Sequence, residues 1–520
     1  MNTHVKTFII ILVLGVVGIL GVKFLLPVWQ EQEHKATSDA VATKGSIAVG
    51  VDNWIGYFPL CSDDMSRAMR HTGYVYSCEE DAADYRERFR RVKAGELQFA
   101  VATVDSYLLA GKEFGYPATI VAVIDESKGG DAIVAHSSKV KNLEALKSTS
   151  GLRVAYTPAS PSEHLLKAIG SHFDIPQFRP SGGGKRIETD GSTDALKRLL
   201  DDEADLAVLW EPDVSRALSE PGIVKLIGSE DTERLIVDIL LVNRDFSRDH
   251  PEAVSVLLEN YFKVRGVFAD DSQRLRKQVR EKTGLDATQV DAMLDGVSWA
   301  TLNENGAVWF DAANAGPFAE EGLVDAIQSA ARILVEAGDF SDNPLPDGDP
   351  YRITNRKFIT DILEGQGGSS AGSASDGASG NLLERKFSPL DADGWARLKE
   401  VGTLKVKPIA FQSGTASLSY DGKLELDQVV ERLKHYPNFR LLVKGHTGVR
   451  GDANANRALS QERAEAVSRY MMVTYNLDVN RVATIGYGGS QPLTKKPGES
   501  DRAWGYRLPR VELALLGEAY

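Results

Sequence analysis

Between Gly365 and Gly380 the chain reads GQGGSSAGSASDGASG, fourteen Gly, Ser or Ala residues in sixteen. Such a run carries too little apolar side chain to offset the entropy of ordering it, so it reads as a flexible linker. It divides the chain into two bodies that must each bury a core. As a random coil the run spans roughly 20 to 25 Å root-mean-square, which leaves the C-terminal body free to move. The 520 residues are 42% hydrophobic and 26% charged, enough apolar side chain for several cores. With 60 basic against 73 acidic side chains the formal charge is -13, a balance that repels polyanions and argues against nucleic acid as a partner. The only cysteines, Cys61 and Cys78, exclude a disulfide-dense scaffold and a four-cysteine zinc site. No metal or other cofactor is expected.

From Thr7 to Val22 the chain holds no charge, and the apolar run continues past Lys23 to Trp29. That length crosses about 30 Å of hydrocarbon as a helix. A cleaved signal needs a small-x-small site directly after the run, and that place holds Lys23-Phe24-Leu25-Leu26. Residues 1–29 are therefore expected to be a single transmembrane anchor and 30–44 a polar stalk. The rest of the chain would then lie on one side of the membrane.

From residue 45 to about 345, strand-like runs alternate with helical periodicity, the pattern of an α/β fold. Strands are expected at 46–51, 74–78, 98–103, 118–124, 132–136, 153–156, 206–209 and 237–242. Four segments then stand where a strand meets a helix, the position at which open α/β sheets bind ligands. They are Asn53-Trp54-Ile55-Gly56-Tyr57-Phe58-Pro59-Leu60, the run from Ala102 to Ala110, Tyr156 to His164, and Leu206 to Asp213. The backbone N–H groups at the first of these suit a small polar or anionic ligand. Pro180 to Arg186 lacks the order of a phosphate loop, and His164 with Ser160 and Ser162 reads as one helix start rather than a nucleophile and base. No enzyme activity is expected.

W-I-G-Y-x-P-L, the S-x-S-x-H helix start, A-V-L-W-E-P-D and D-I-L-L-V-N-R-D-F together resemble the periplasmic substrate-binding proteins for nitrate, taurine, sulfonates and thiamine-precursor pyrimidines. The resemblance implies a two-lobed, type II-like fold whose cleft closes on a small-molecule solute, with crossovers near Asp131 to Ala135 and Val237 to Val242. By family position Trp54, Tyr57, Asp105, Ser160, Ser162, Trp210 and Glu211 would line the cleft. The acids among them, with Asp125, Glu126 and Asp131 nearby, favour a cationic or hydrogen-bond-donating ligand over sulfonate or nitrate. In an oxidising periplasm Cys61 and Cys78 are expected to pair, subject to geometry.

Beyond a linker placed at 346–388, residues 389–520 read as a β-α-β-α-β domain with a final strand. Its first strand is expected at Lys405 to Phe411. Gly445-His446-Thr447, the run Asn456 to Ala464 with its N-x-x-L-S-x-x-R-A pattern, and Gly486 to Pro492 resemble the OmpA-like peptidoglycan-binding family. That family grips the carboxylate and amine of diaminopimelate with an Arg and an Asp, a pairing suited to a zwitterion. The resemblance makes Arg463 the Arg, with Asn456 in support. The Asp position is Gly448, and Asp452 is the candidate to replace it.

The sequence therefore predicts an inner-membrane-anchored, single-pass periplasmic solute-binding protein tethered to peptidoglycan. Its partners would be a solute and either an ABC permease or a membrane signalling protein. The alternative is an envelope scaffold linking inner membrane to cell wall through an α/β domain that binds nothing.

Overall fold

The computed structural model describes residues 43–179, 184–311, 321–365, 382–412 and 414–517. The expected anchor, nearly all of the stalk, the glycine-rich loop at 180–183 and the run at 366–381 lie outside the described residues. Among the described residues no helix is long and apolar enough to cross a membrane.

The first lobe starts with β1 (Gly45–Val51), β2 (Tyr74–Glu80), β3 (Phe99–Thr103) and β4 (Ala118–Ser127). β1 lies parallel to β2 and β3, as strands joined through helices must. Every residue of β3 and β4 is buried, which requires cover on both faces and explains their unbroken apolar runs. After Ser127 the chain crosses to a second lobe made of β5 (Asp131–His136), β6 (Arg153–Tyr156), β7 (Lys185–Glu188), β8 (Leu206–Trp210) and β9 (Ile223–Gly228). It returns through residues 229–236 to β10 (Val237–Asn243), which inserts antiparallel between β3 and β4, and β11 (Val297–Trp299) closes the edge. The sheet orders are β11-β4-β10-β3-β1-β2 and β7-β6-β8-β5-β9. The crossings thus occupy the residues just before the two strands expected to carry them. β7 and β9 escape the sequence pattern because both are short edge strands, KRIE and IVKLIG, without clean alternation.

The expected linker at 346–388 is too long. Residues 346–365 belong to the first lobe: Thr354 bridges Ile120, and the helix Lys357–Gly365 buries Phe358, Ile359 and Ile362 in that lobe's core. Past the glycine-rich run, Leu383 is buried in the core of the C-terminal body, and the Arg440 guanidinium lies 5.1 Å from the Phe387 ring centre. That body contains β12 (Lys399–Leu404), β13 (Arg440–His446), β14 (Val482–Gly488) and β15 (Arg510–Gly517), in the order β12-β15-β13-β14. Helices Tyr420–Leu433 and Ala453–Tyr475 connect β12 to β13 and β13 to β14. The first strand thus precedes the expected Lys405 to Phe411. Pro408 lacks the N–H a ladder needs, and Phe411 makes only an isolated bridge to Leu418.

The C-terminal body is docked, not free. One apolar core runs from Leu143, Phe173, Ile175 and Phe178 of the second lobe into Val401, Leu433 and Tyr436. Phe173 meets the Tyr436 ring edge-on at 5.3 Å. His172 and His435 stack at 5.4 Å, 18° from parallel. His435 Nδ1 lies 2.7 Å from the Glu233 carbonyl, so Nδ1 must carry the proton, and Nε2 accepts from Ser329 Oγ at 2.6 Å. Lys405 N–H donates to His172 O at 2.7 Å. Linker composition cannot reveal such docking, because the faces that meet are built by helices on either side of it.

Candidate functional site

The cleft forms where the carboxyl ends of β1, β3 and β4 face those of β6 and β8, the place open α/β sheets use. Directly after β1 stands Asp52, whose Oδ1 accepts from Trp54 N–H at 3.0 Å. The expected helix start here is a single 3-10 turn, Ile55–Tyr57, and its leading N–H is already bonded to a carboxylate. Gly56 permits the next contact. A Cβ there would collide with Asp125 Oδ2 and Trp54 Nε1, and Trp54 Nε1 donates to Asp125 Oδ1 at 3.1 Å. Tyr57 donates a short hydrogen bond to Asp238, and Tyr85 donates to Asp52 Oδ2 at 3.2 Å.

These side chains close on a cavity of about 40 Å3, room for about three waters. Of the expected residues, Trp54, Tyr57, Ser160 and Trp210 line it. Asp52, Tyr85, Asp131 and Asp238 also line it, and none of these was among the seven expected. The structure places the other three elsewhere. Ser162 is fully buried and donates to Val208 O at 3.1 Å. Glu211 accepts from Ser215 Oγ at 2.7 Å, turned back into its own helix start. Asp105 is buried behind the cavity, its Oδ1 without a partner. No hydrogen bond joins His164 to either serine hydroxyl, and both of its ring nitrogens are buried without partners.

The electrostatics of the cleft are one-sided. Arg88, fully buried beneath it, holds Asp52 and Asp81 together and donates to Val101 O at 2.7 Å. Lys128 sits between Glu126 at 3.0 Å and Glu233. Burial, with Asp105, Glu211 and Glu230 adding repulsion, pushes the Asp131 carboxyl up to about 7 despite the Ser127 hydroxyl on its Oδ2. Burial and the neighbouring Asp125 drive Asp238 well above the ordinary carboxyl range. Burial raises Asp125 as well. Among the described residues no group of three or more His, Cys, Asp or Glu is arranged to hold a metal ion. Cys61 and Cys78 form a disulfide with Cα atoms 5.7 Å apart, pinning the segment after Tyr57 to β2.

In the C-terminal body, Arg463 is half-buried, its guanidinium 4.9 Å from the Phe411 ring centre and its Nε donating to Thr415 O at 3.3 Å. Asn456 donates to Arg450 O at 2.9 Å, holding the loop before the helix. Asp452 caps that helix through the Ala455 N–H at 2.8 Å. At Gly448 a Cβ would meet nothing within 4 Å, and its φ is not positive.

Two α/β lobes joined by two crossings, with a polar and aromatic cleft between them, make up most of the chain before the C-terminal body. Residues 410–504 match the OmpA family. Relatives of this chain include outer membrane protein Omp38 of Acinetobacter baumannii, 30% identical over 100 residues, 19% of this chain and 28% of that protein. The peptidoglycan-associated lipoprotein of Rhizobium meliloti is 34% identical over 85 residues, 16% of this chain and 48% of that protein. The chain thus spans less than half the length of either. Among solved structures, the alkanesulfonate-binding protein SsuA from Xanthomonas axonopodis pv. citri bound to MOPS is 14% identical with a TM-score of 0.46, over 61% of this chain and 100% of that one. The periplasmic aliphatic sulphonate binding protein SsuA from Escherichia coli is 15% identical with a TM-score of 0.45, over 58% of this chain and 95% of that one.

Proposed function

We propose that this protein is a non-enzymatic solute receptor of the cell envelope, whose two lobes close on a small molecule while the C-terminal domain holds it to peptidoglycan. The observation that carries the reading is the cleft: side chains of both lobes converge on one cavity, with Trp54 and Tyr57 from the first and Ser160 and Trp210 from the second. The apolar run at 7–29 would anchor the chain in the inner membrane with its bulk in the periplasm. An ABC permease or a membrane signalling partner would receive the outcome. The test is thermal melting of the full-length chain against amines, pyrimidines, sulfonates and nitrate. A ligand at 100 times its Kd stabilises the protein by about 2.7 kcal/mol, a shift of a few degrees. A flat response from folded protein would favour the scaffold alternative.

For the cell-wall site, Arg463 on Phe411 supplies the cationic half of a zwitterion clamp, and Gly448 leaves the anionic half missing. Because the space at Gly448 is open, Gly448→Asp is expected to tighten binding of a diaminopimelate-containing muropeptide by about tenfold, the worth of one charge-assisted hydrogen bond. Titration calorimetry measures this. Arg463→Ala is expected to abolish binding in both backgrounds. Unchanged affinity in Gly448→Asp would mean that this domain grips its ligand elsewhere.

A further inference from the structure

We propose that the cleft selects a small organic cation, an ammonium or amidinium group, in preference to any anion; the inference rests on the solute-receptor reading above. Three buried carboxyl groups, those of Asp52, Asp131 and Asp238, line the cavity, and no Lys, Arg or His does. The nearby cations are committed. Arg88 is bonded to Asp52 and Asp81, and Lys128 is paired with Glu126 and Glu233.

The donors are committed too. Trp54 Nε1 is bonded to Asp125, Tyr57 to Asp238, Tyr85 to Asp52, and Ser160 Oγ donates to Thr157 O at 2.8 Å. A sulfonate or nitrate entering the cavity would therefore face carboxylates while finding only Trp210 and Asn53 with side-chain N–H to offer. A cation meets the opposite situation. Asp131 is 3% exposed, accepts from Ser127 Oγ through Oδ2 at 2.6 Å, and leaves Oδ1 without a hydrogen bond where the residue lines the cavity. Behind it Asp105 Oδ1 is buried and unpartnered. A buried carboxylate oxygen without a donor is costly to maintain, and an N–H-bearing cation relieves that cost. The rings of Trp54, Tyr57, Tyr85 and Trp210 complete such a site, since aromatic faces attract cations and repel anions.

At about 40 Å3 the cavity admits only a group of a few heavy atoms before the lobes must part. A methylammonium-sized head matches that space.

The test is titration of the detergent-solubilised full-length chain with methylammonium, tetramethylammonium, choline and putrescine, and with methanesulfonate and nitrate, read by calorimetry and melting. Saturable binding of at least one cation and of neither anion is the expected result. Asp131→Asn, with its melting temperature recorded without ligand, is expected to lose roughly tenfold or more of the cation affinity. Asp238→Asn serves as a second variant should Asp131→Asn fail to fold. Binding of methanesulfonate or nitrate would overturn the cation inference and leave the solute-receptor reading intact. No binding of any compound by folded protein would overturn both.

Discussion

Methylammonium affinity is expected to fall about 50-fold between pH 7 and pH 5, with little change above pH 8. The sign follows from Asp131. Its carboxyl is pushed up to about 7, burial being the main cause, with Asp105, Glu211 and Glu230 adding repulsion from the segments that follow β3, β8 and β9. A cation binds the ionised form, so below pH 7 each unit of acidity costs about tenfold when one proton must leave. Asp238 and Asp125, both raised by burial, steepen the dependence if they ionise together with Asp131. Calorimetry in two buffers of different ionisation enthalpy counts the protons released. In Asp131→Asn the slope is expected to shrink by one proton. A pH-independent affinity would show that the cation does not pair with this carboxyl. The same shift makes the folded protein less stable as pH rises from about 4 to about 7, because the folded state alone holds the proton in that window.

The second large effect concerns the docked C-terminal domain. Gly402 of β12 presses on the second lobe: a Cβ there would come within 2.7 Å of Phe173 Cδ1 and 3.6 Å of Leu143 Cβ, and both neighbours belong to the other body. Gly402→Val is therefore expected to release the domain while leaving each body folded. The overpacking penalty is about 1–3 kcal/mol, set against an interface between tethered partners. Small-angle scattering would show a larger radius of gyration, and far-UV dichroism would stay unchanged. An unaltered radius would mean that the interface repacks around the added side chain.

Acidification is expected to act in the same direction as that substitution. Burial lowers His435 to about 4 and His172 well below its ordinary value, with Arg332 adding positive field to both and Arg432 to His172. The Arg234 and His164 side chains add to the field at His435 and His164 to that at His172. Groups depressed in the docked state contribute stability above the ordinary value of 6.5, and it is lost as pH falls toward 4.

Docking also ties the two lobes to the C-terminal domain. The helix Gly322–Ala337 packs against the helix Pro161–His172 of the second lobe, and its Ser329 and Glu336 meet His435 and Arg432 of the C-terminal body. A change in lobe position therefore bears directly on the docked domain.

Much of the cleft was legible because strand ends announce themselves. Trp54 and Trp210 follow or end clear apolar runs, and the eight expected strands of the two lobes formed within a few residues of their expected bounds. The acids that set the charge of the cavity were harder to find. Asp52 follows β1 directly, and Asp238 stands inside the run V-D-I-L-L-V. A lone carboxylate in a buried strand was the available signal, since such a group persists only with partners or a task. Ser162 was misplaced for a local reason. It lies next to Pro161 at the helix start, and only the packing of that helix on β8 sends its hydroxyl to Val208 O rather than into the cleft.

Local chemistry therefore determined the strands, the helix periodicity, the glycine-rich division of the chain and the Arg463 motif, because each depends on residues close together in sequence. The convergence of Asp52, Asp131 and Asp238 on one cavity, and the seating of Tyr436 against Phe173, were decided by tertiary structure alone. Both bring together side chains far apart in the chain, and shape and charge complementarity between such surfaces exists only once each body has folded.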